Sequence, residues 1–275
     1  MTTNFLFWNT NGNPVQNIIS NLIVNHQIDI LMLAEWSDSP TSIVTLLETR
    51  GIPFFEATQS IHSNCERITI FTRFEPEAIR PVAESDKLSI RRLTLPEFPE
   101  ILLGVAHFRS QLYSSDAIED LARQARNTAQ TVAEQENKFS HTRTLFVGDF
   151  NMDPFDKGMI QPDGFNAVMT THIAEREIQI LDDREYRFFY NPMWGHFGDR
   201  SSGPPGTYYY RQKWPYWHIF DQVLIRPVLS SALIDLEILT GDGAQSFLTQ
   251  NGIPEVSISD HLPLKFSLAL EEQHV

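Results

Sequence analysis

The sequence predicts an α/β protein in which two mainly antiparallel sheets pack face to face with helices outside, a four-layer α-β-β-α sandwich. Short apolar segments alternate with helical patterns in the first half of the chain, and several strand-like segments joined by long loops follow in the second half. That mixture favours two packed sheets over other layer arrangements. A doubly wound parallel sheet is the main rival, but the phosphate-binding loops GxGxxG and GxxxxGK(S/T) are absent from the sequence.

The chain is predicted to form a single domain over residues 1–275. Its 275 residues, 41% of them apolar, are enough to bury a full core, and no linker-like stretch divides them. Cys65 is the only cysteine, which excludes an intrachain disulfide framework and a zinc site built from several thiolates. Stability must therefore come from packing.

The first half of the chain is predicted to contain two helices among several strands. Asn13 can cap the first helix and Pro14 suits its first position, and apolar residues then recur at helical spacing up to Ile23. Ser39 and Pro40 open the second helix. The predicted strands cover residues 4–9, 28–34, 53–57, 68–72, 89–95 and 101–107.

The second half begins with the longest helical pattern, over residues 114–138, where an apolar stripe recurs every three or four residues. A buried strand follows at 144–148. The region 182–217 is predicted to be rich in loops because Gly, Pro and aromatic residues are crowded together there. Strands resume at residues 218–225, 233–239 and 264–270.

The charge balance of 21 basic against 35 acidic residues gives a net charge of −14. Such a chain repels polyanions at long range, which argues against sequence-independent wrapping of duplex nucleic acid. A nuclease is still compatible with this charge, because carboxylates that bind a metal count toward it although the cation offsets them locally.

The sequence shows no basic leader and no segment near the roughly 20 apolar residues that span a bilayer. We therefore expect no membrane insertion and a cytoplasmic location.

Two polar corners follow predicted strands and carry most of the functional information. Asp149 and Asn151 come directly after the apolar run 145–147, and Asp260 and His261 stand just before the strand at 264–270. Either corner alone would more often be a turn or a helix cap than a catalytic site. Together they indicate metal-assisted phosphate chemistry.

Further polar residues lie at the ends of other predicted strands, namely Asn9, Asn11, Glu35 and His107, while Asp221 falls inside the strand at 218–225. A buried carboxylate must be paired, hydrogen-bonded or metal-bound. Oxygen ligands without cysteine suit Mg²⁺ or Mn²⁺ better than Zn²⁺. In this interpretation the ion polarises a phosphoryl oxygen, Asp149 takes a proton from water, and His261 lies near the phosphoryl oxygens or the leaving group.

The ordered set of motifs resembles the endonuclease/exonuclease/phosphatase superfamily, which includes deoxyribonuclease I. The resemblance extends from Phe5 to Leu270, and its motifs are Trp8-Asn9-Thr10-Asn11-Gly12, Ala34-Glu35, Ala106-His107, Gly148-Asp149-Phe150-Asn151, Phe220-Asp221 and Ser259-Asp260-His261.

The resemblance implies a role for each matched position. Glu35 is the principal metal ligand, with Asn9 beside the metal and Asp260 as a second ligand. Asp149 activates water, and the Asn151 amide holds a phosphoryl oxygen. Asp221 orients the His261 ring, and His107 lies near the scissile phosphate.

Three positions depart from the family pattern. At the positions of Asn11, Ala34 and Phe220 in this chain, the family often has an acidic residue, a Gln and an Ile, respectively. The first departure weakens the case for a second metal ion, whereas the other two adjoin functional residues without replacing them.

The stretch 208–218 interleaves aromatic rings with positive charges, and Arg211, Lys213, Trp214 and Tyr216 are its candidate substrate-binding residues. This composition suits stacked bases and phosphates, although a packed loop over a sheet edge explains it equally well. Hydrolysis of phosphodiester bonds in nucleic acid is therefore the first hypothesis. A small nucleotide, sugar phosphate or lipid headgroup is the alternative substrate, and a non-catalytic binding scaffold is the rival from another class.

Overall fold

The computed structural model of the protein describes residues 2–61, 65, 67–96, 98–110, 117–200, 203–212 and 214–269. The strands are β1 Thr2–Asn9, β2 Ile30–Ala34, β3 Phe55–Glu56, β4 Ile68–Thr72, β5 Ile79–Ser85, β6 Leu88–Leu93, β7 Ile101–His107, β8 Thr144–Asp149, β9 Ala167–Val168, β10 Ile178–Leu181, β11 Arg184–Arg187, β12 Phe189–Tyr190, β13 Tyr208–Tyr209, β14 Trp217–His218, β15 Asp221–Ile225, β16 Leu233–Ile238 and β17 Leu264–Ala269. The α-helices are α1 Gln16–His26, α2 Pro40–Thr49, α3 Ala117–Phe139, α4 Lys157–Ile160, α5 Thr171–Ala174 and α6 Pro227–Ser230, and short 3₁₀ helices cover Pro76–Ala78 and Pro192–His196.

Two large sheets form the centre of the fold, which confirms the predicted sandwich. The six-stranded sheet has the order β16-β17-β1-β2-β4-β3, and the seven-stranded sheet has the order β5-β6-β7-β8-β15-β12-β9. Most neighbouring strands are antiparallel, while β1 with β2, β7 with β8 and β9 with β12 are parallel. The strand pairs β10-β11 and β13-β14 form two further small sheets.

Alternation along β8 shows how the layers are filled. Leu145 and Val147 belong to the large core cluster that also contains side chains of β1, β2 and the first two helices. Phe146 lies on the opposite face, in a second cluster with Leu121 and Ala125 of α3. Because successive strand residues point to opposite faces, one side of the seven-stranded sheet packs on its partner sheet and the other on α3.

Most predicted strands are found within two residues of their expected bounds; α2 begins at Pro40 as predicted, and α1 begins two residues after Pro14. The helix α1 begins at Gln16 without a side-chain cap, so Asn13 is not the cap. The Asn13 amide instead donates to the carbonyl oxygens of Val256 and Ile258 at 3.2 Å. The predicted start of the long helix, residues 114–116, lies outside the described part of the chain.

Several strands were not predicted, among them β5, the hairpin of β10 and β11, and the two-residue strands β9, β12 and β13. The strand β5 lies at a sheet edge, contains Pro81 and buries little besides Ile79, so it lacks the apolar alternation of an inner strand. The hairpin of β10 and β11 is mostly exposed. Asp182 and Asp183 turn it with φ of 48° and 60°, a left-handed pair that glycine or asparagine usually signals in sequence.

None of the helices in the described ranges combines the length and the apolar character needed to cross a membrane.

Candidate active site

Three functional candidates lie side by side at one end of the seven-stranded sheet. Asp149 is level with His107 of β7 on one side and with Asp221 of β15 on the other. Residues that are level across neighbouring strands present their side chains to the same face. Gly148 permits the close approach of β7 and β8, because a Cβ at this position would lie 2.1 Å from the carbonyl oxygen of Ala106.

The Asp149 carboxylate is buried and held by hydrogen bonds on both oxygens. Oδ1 accepts from the backbone N–H of Asn151 at 2.9 Å, and Oδ2 accepts from the Asn9 amide at 3.0 Å. Burial raises the pKa of Asp149, and the neighbouring His261 opposes that rise without cancelling it. The carboxyl group is thus fixed in position, with an increased affinity for a proton.

The Asp221 and His261 side chains form a buried pair behind Asp149. Nδ1 of His261 lies 2.8 Å from Oδ2 of Asp221, and Nε2 lies 3.8 Å from Oδ2 of Asp149. Burial by itself lowers the pKa of His261, but Asp221 and Asp149 raise it to about 10. The pair fixes the ring orientation and leaves Nε2 directed toward Asp149.

The segment 259–261 is tied to the end of β1. The Ser259 hydroxyl donates to the carbonyl oxygen of Asn9 at 2.8 Å and accepts from the backbone N–H of His261 at 3.1 Å. The Trp8 indole donates to the carbonyl oxygen of His261 at 2.9 Å. These bonds join the six-stranded sheet to the histidine that faces Asp149.

Glu35 and His107 meet across the two sheets. Glu35 follows β2 with a left-handed φ of 52°, an uncommon conformation for a non-glycine residue, and 37% of its side chain is exposed. Its Oε1 lies 3.1 Å from Nε2 of His107, which itself is 3.9 Å from Oδ2 of Asp149. The His107 hydrogen bond lowers the pKa of Glu35 despite partial burial.

Asp260 adds a third carboxylate to the same cleft. Burial raises the pKa of Asp260; the charge of His261 opposes that rise, and the charges of Glu35 and Asp149 add to it. Three mutually repelling acids in one cleft form a suitable donor set for a cation. A second donor set comprises Asp149, Asp221 and His261, whose nearest ligand atoms lie within 4.8 Å of one another.

The candidate residues open into one cleft of about 1080 Å³. Its lining includes all the predicted catalytic and metal-binding positions except Asp221, which lies behind His261, and therefore includes Asn9, Glu35, His107, Asp149, Asn151, Asp260 and His261. The structure thus brings together all the candidate catalytic and metal-binding residues that the sequence analysis predicted. Their roles in catalysis remain predictions.

Comparison with known proteins gives the family. The sequence profile of the endonuclease/exonuclease/phosphatase family matches residues 6–261. The chain belongs to this family. It is accordingly a phosphoesterase of the deoxyribonuclease I-like superfamily. None of the curated proteins compared with the chain matches it in sequence.

Solved structures of other proteins resemble the chain over nearly its whole length. The catalytic domain of human nocturnin with a bound sulfate anion has a TM-score of 0.59 at 15% identity, covering 98% of this chain and 95% of that one. An AP endonuclease from Archaeoglobus fulgidus gives 0.55 at 14%, covering 98% and 100%. TDP2 from D. rerio in complex with single-strand DNA product gives 0.51 at 14%, covering 98% and 99%. At these identities the likeness shows the fold.

Three of the predicted substrate-binding residues are absent from the lining of the cleft. Arg211, Trp214 and Tyr216 are exposed on the loop between β13 and β14, and Trp214 is 80% exposed. None of these three lines the cleft, and Lys213 lies outside the described residues. The base of this hairpin does reach the site, because the ring of Tyr208 lies 4.7 Å from that of His261.

The sequence analysis did not predict the residues that hold the β13-β14 strand pair next to the site. His218 and Asp153 form a second buried pair, with Nδ1 of His218 2.7 Å from Oδ2 of Asp153. The Thr207 hydroxyl accepts from the backbone N–H of Asp221 at 3.1 Å. No recognisable motif surrounds these residues, and only the proximity of Asp153 to Asn151 hinted at the first pair.

The Asp221 and His261 pair should act as one unit in phosphoester hydrolysis. Asp221→Asn and His261→Ala should each reduce turnover of bis(4-nitrophenyl) phosphate by at least ~10²-fold, and the double variant should lose little more than either single one. The reason is that Asp221 reaches the reaction only through the ring that it orients. Turnover measured on all four proteins checks this, and multiplicative losses would separate Asp221 from His261.

Proposed function

We propose that the protein is a divalent-metal-dependent phosphodiesterase that hydrolyses nucleic acid by in-line attack of water. The observation that carries this proposal is the Asp149 carboxylate, which is buried, hydrogen-bonded to Asn9 and Asn151, and faced by a histidine that Asp221 orients. A fixed carboxylate with raised proton affinity is what activation of a water molecule requires.

The chain's own residues divide the proton transfers between them. Asp149 accepts a proton from the attacking water, and His261 donates a hydrogen bond through Nε2 to a phosphoryl oxygen or the leaving group. Asn151 holds a phosphoryl oxygen with its amide, whose orientation is set by donation to the carbonyl oxygen of Phe108 at 3.0 Å. His107 lies beside the scissile phosphate and orients Glu35.

Glu35, Asn9 and Asp260 would hold the metal ion, Mg²⁺ or Mn²⁺. Their oxygen donors fit a hard cation, and the exposed part of Glu35 opens into the cleft. The set of Asp149, Asp221 and His261 is the weaker candidate because Asp221 does not line the cleft and is bonded to His261 behind Asp149. When bound, the ion would polarise a phosphoryl oxygen and offset its charge.

Nucleic acid is the proposed substrate because the hairpin between β13 and β14 extends aromatic and basic side chains from the site. The Trp214 and Tyr216 rings are exposed, so nucleic-acid bases can stack on them. Arg211 and Lys213 would contact phosphates of the same strand. The D. rerio TDP2 structure, a similar fold, contains a single-strand DNA product. The net charge of −14 favours the alternative of a small phosphorylated substrate.

An enzyme is favoured over a binding scaffold because the candidate metal-binding groups and all candidate catalytic groups except Asp221 line one cleft, and Asp221 contacts it through His261. A scaffold has no need of an oriented histidine facing a buried carboxylate. The cytoplasmic location stays a prediction of the sequence.

Metal dependence is the first test. Excess chelator should abolish hydrolysis of a single-stranded oligonucleotide, and Mg²⁺ or Mn²⁺ should restore it, because the donor atoms are oxygens. Glu35→Gln should require a higher Mg²⁺ concentration for half-maximal rate, while Glu185→Gln, on an exposed hairpin, should not. Full activity in chelator, or strict dependence on Zn²⁺, would contradict the proposed metal site.

Cys65→Ser should leave turnover nearly unchanged because the thiol is buried and its pKa is raised to about 11.

Oligonucleotide binding tests the role of the hairpin tip, the loop between β13 and β14 that contains Arg211, Trp214 and Tyr216. In an Asp149→Asn background, Trp214→Ala should weaken oligonucleotide binding by ~1–3 kcal/mol, the cost of losing one stacked base. Arg211→Gln with Lys213→Gln should flatten the dependence of log Kd on log salt by about 0.7 for each phosphate that these side chains neutralise. Fluorescence anisotropy measures both effects. If neither the oligonucleotide affinity nor the salt dependence of log Kd changes, a small phosphorylated substrate is favoured over nucleic acid.

A further inference from the structure

Four basic residues line the cleft beside the acidic centre, and they differ in their partners. Nζ of Lys87 lies 3.1 Å from Asp86, and the Arg123 guanidinium lies 2.7 Å from Asp120. The other two, Arg67 and Arg109, are exposed and have no side-chain hydrogen bond or ion pair with the part of the chain that the structure describes. Both guanidinium groups are therefore available to a ligand in the cleft.

The backbone places Arg67 next to Glu35 and Arg109 next to Asp149. The carbonyl oxygen of Arg67 accepts from the backbone N–H of Glu35 at 3.1 Å. Arg109 follows Phe108, whose N–H donates to the carbonyl oxygen of Asp149 at 2.8 Å. One arginine thus adjoins the proposed metal ligand, and the other adjoins the proposed base.

An anionic substrate meets an unfavourable field in this cleft unless cations compensate for the acids. A metal ion would offset the charge at the reacting phosphorus only, because electrostatic attraction weakens with distance and with screening. Guanidinium groups bind phosphate oxygens through two parallel hydrogen bonds, and an unpaired guanidinium gives up no partner in doing so.

We propose that Arg67 and Arg109 bind phosphates of the substrate that are not themselves hydrolysed. The inference rests on the proposed function and narrows it to substrates that carry at least one additional phosphate. That phosphate is the neighbouring group of a polynucleotide or the second group of a small bisphosphorylated compound. The hairpin tip then contributes stacking beyond these two arginines.

The test compares substrates that differ in the number of phosphates. Rates are measured for the wild-type protein, Arg67→Gln, Arg109→Gln and the matched control Arg184→Gln, an exposed cation on the β10-β11 hairpin. The substrates are bis(4-nitrophenyl) phosphate, which has one phosphate, a short single-stranded oligonucleotide and a sugar bisphosphate.

Each cleft variant should reduce kcat/KM about tenfold on a substrate with additional phosphates, mainly through KM, because a charge-assisted hydrogen bond is removed. On bis(4-nitrophenyl) phosphate it should change kcat/KM by less than about twofold, and Arg184→Gln should have little effect on any substrate. If kcat/KM falls only for the oligonucleotide, the substrate is a polynucleotide. If it falls only for the sugar bisphosphate, the substrate is a small bisphosphorylated compound.

Equal reductions on all three substrates, or no reduction on any, would overturn the inference while leaving the proposed hydrolysis intact. If the wild-type protein hydrolyses none of the substrates with Mg²⁺ or Mn²⁺ present, the proposed function itself fails and the inference fails with it. Thermal denaturation of each variant identifies any reduction that comes from unfolding.

Discussion

The burial of one carboxylate, that of Asp149, constrains the rest of the site. An acid with 1% exposure at the end of an apolar strand is unfavourable unless hydrogen bonds and positive charge compensate for the lost water. Asn9 from the other sheet, the Asn151 backbone and the His261 ring provide that compensation. Because these groups come from three distant parts of the sequence, the carboxylate can be stabilised only when both sheets are closed against each other.

The sheets bring the chemistry to one edge. Strand β1 runs parallel to β2, and β7 runs parallel to β8, so each pair presents its carboxyl ends in the same direction. Asn9, Glu35, His107 and Asp149 stand at those four ends. The antiparallel strand β15 starts there and contributes Asp221. The segment 259–261, tied to β1, completes the arrangement with Asp260 and His261.

The sequence predicted much of this arrangement because the strands that hold the site are buried. Runs such as 145–147 are apolar without interruption, and a polar residue at their ends is therefore conspicuous. The edge strand β5 and the hairpin of β10 and β11 escaped prediction because exposed strands carry no such contrast. Arg67 and Arg109 escaped for a related reason, since exposed arginines are common and only the fold places these two at the cleft.

The measurement that tests the central role of Asp149 most directly is the turnover of a phosphodiester by Asp149→Asn. The variant keeps the shape of the side chain but cannot accept the proton of water. We expect turnover to fall by at least ~10²-fold with Mg²⁺ present, at a temperature at which the variant is still folded by thermal denaturation. The exposed control Asp199→Asn should retain wild-type turnover. Wild-type turnover in Asp149→Asn would show that the buried carboxylate is not the base and would contradict the proposed mechanism.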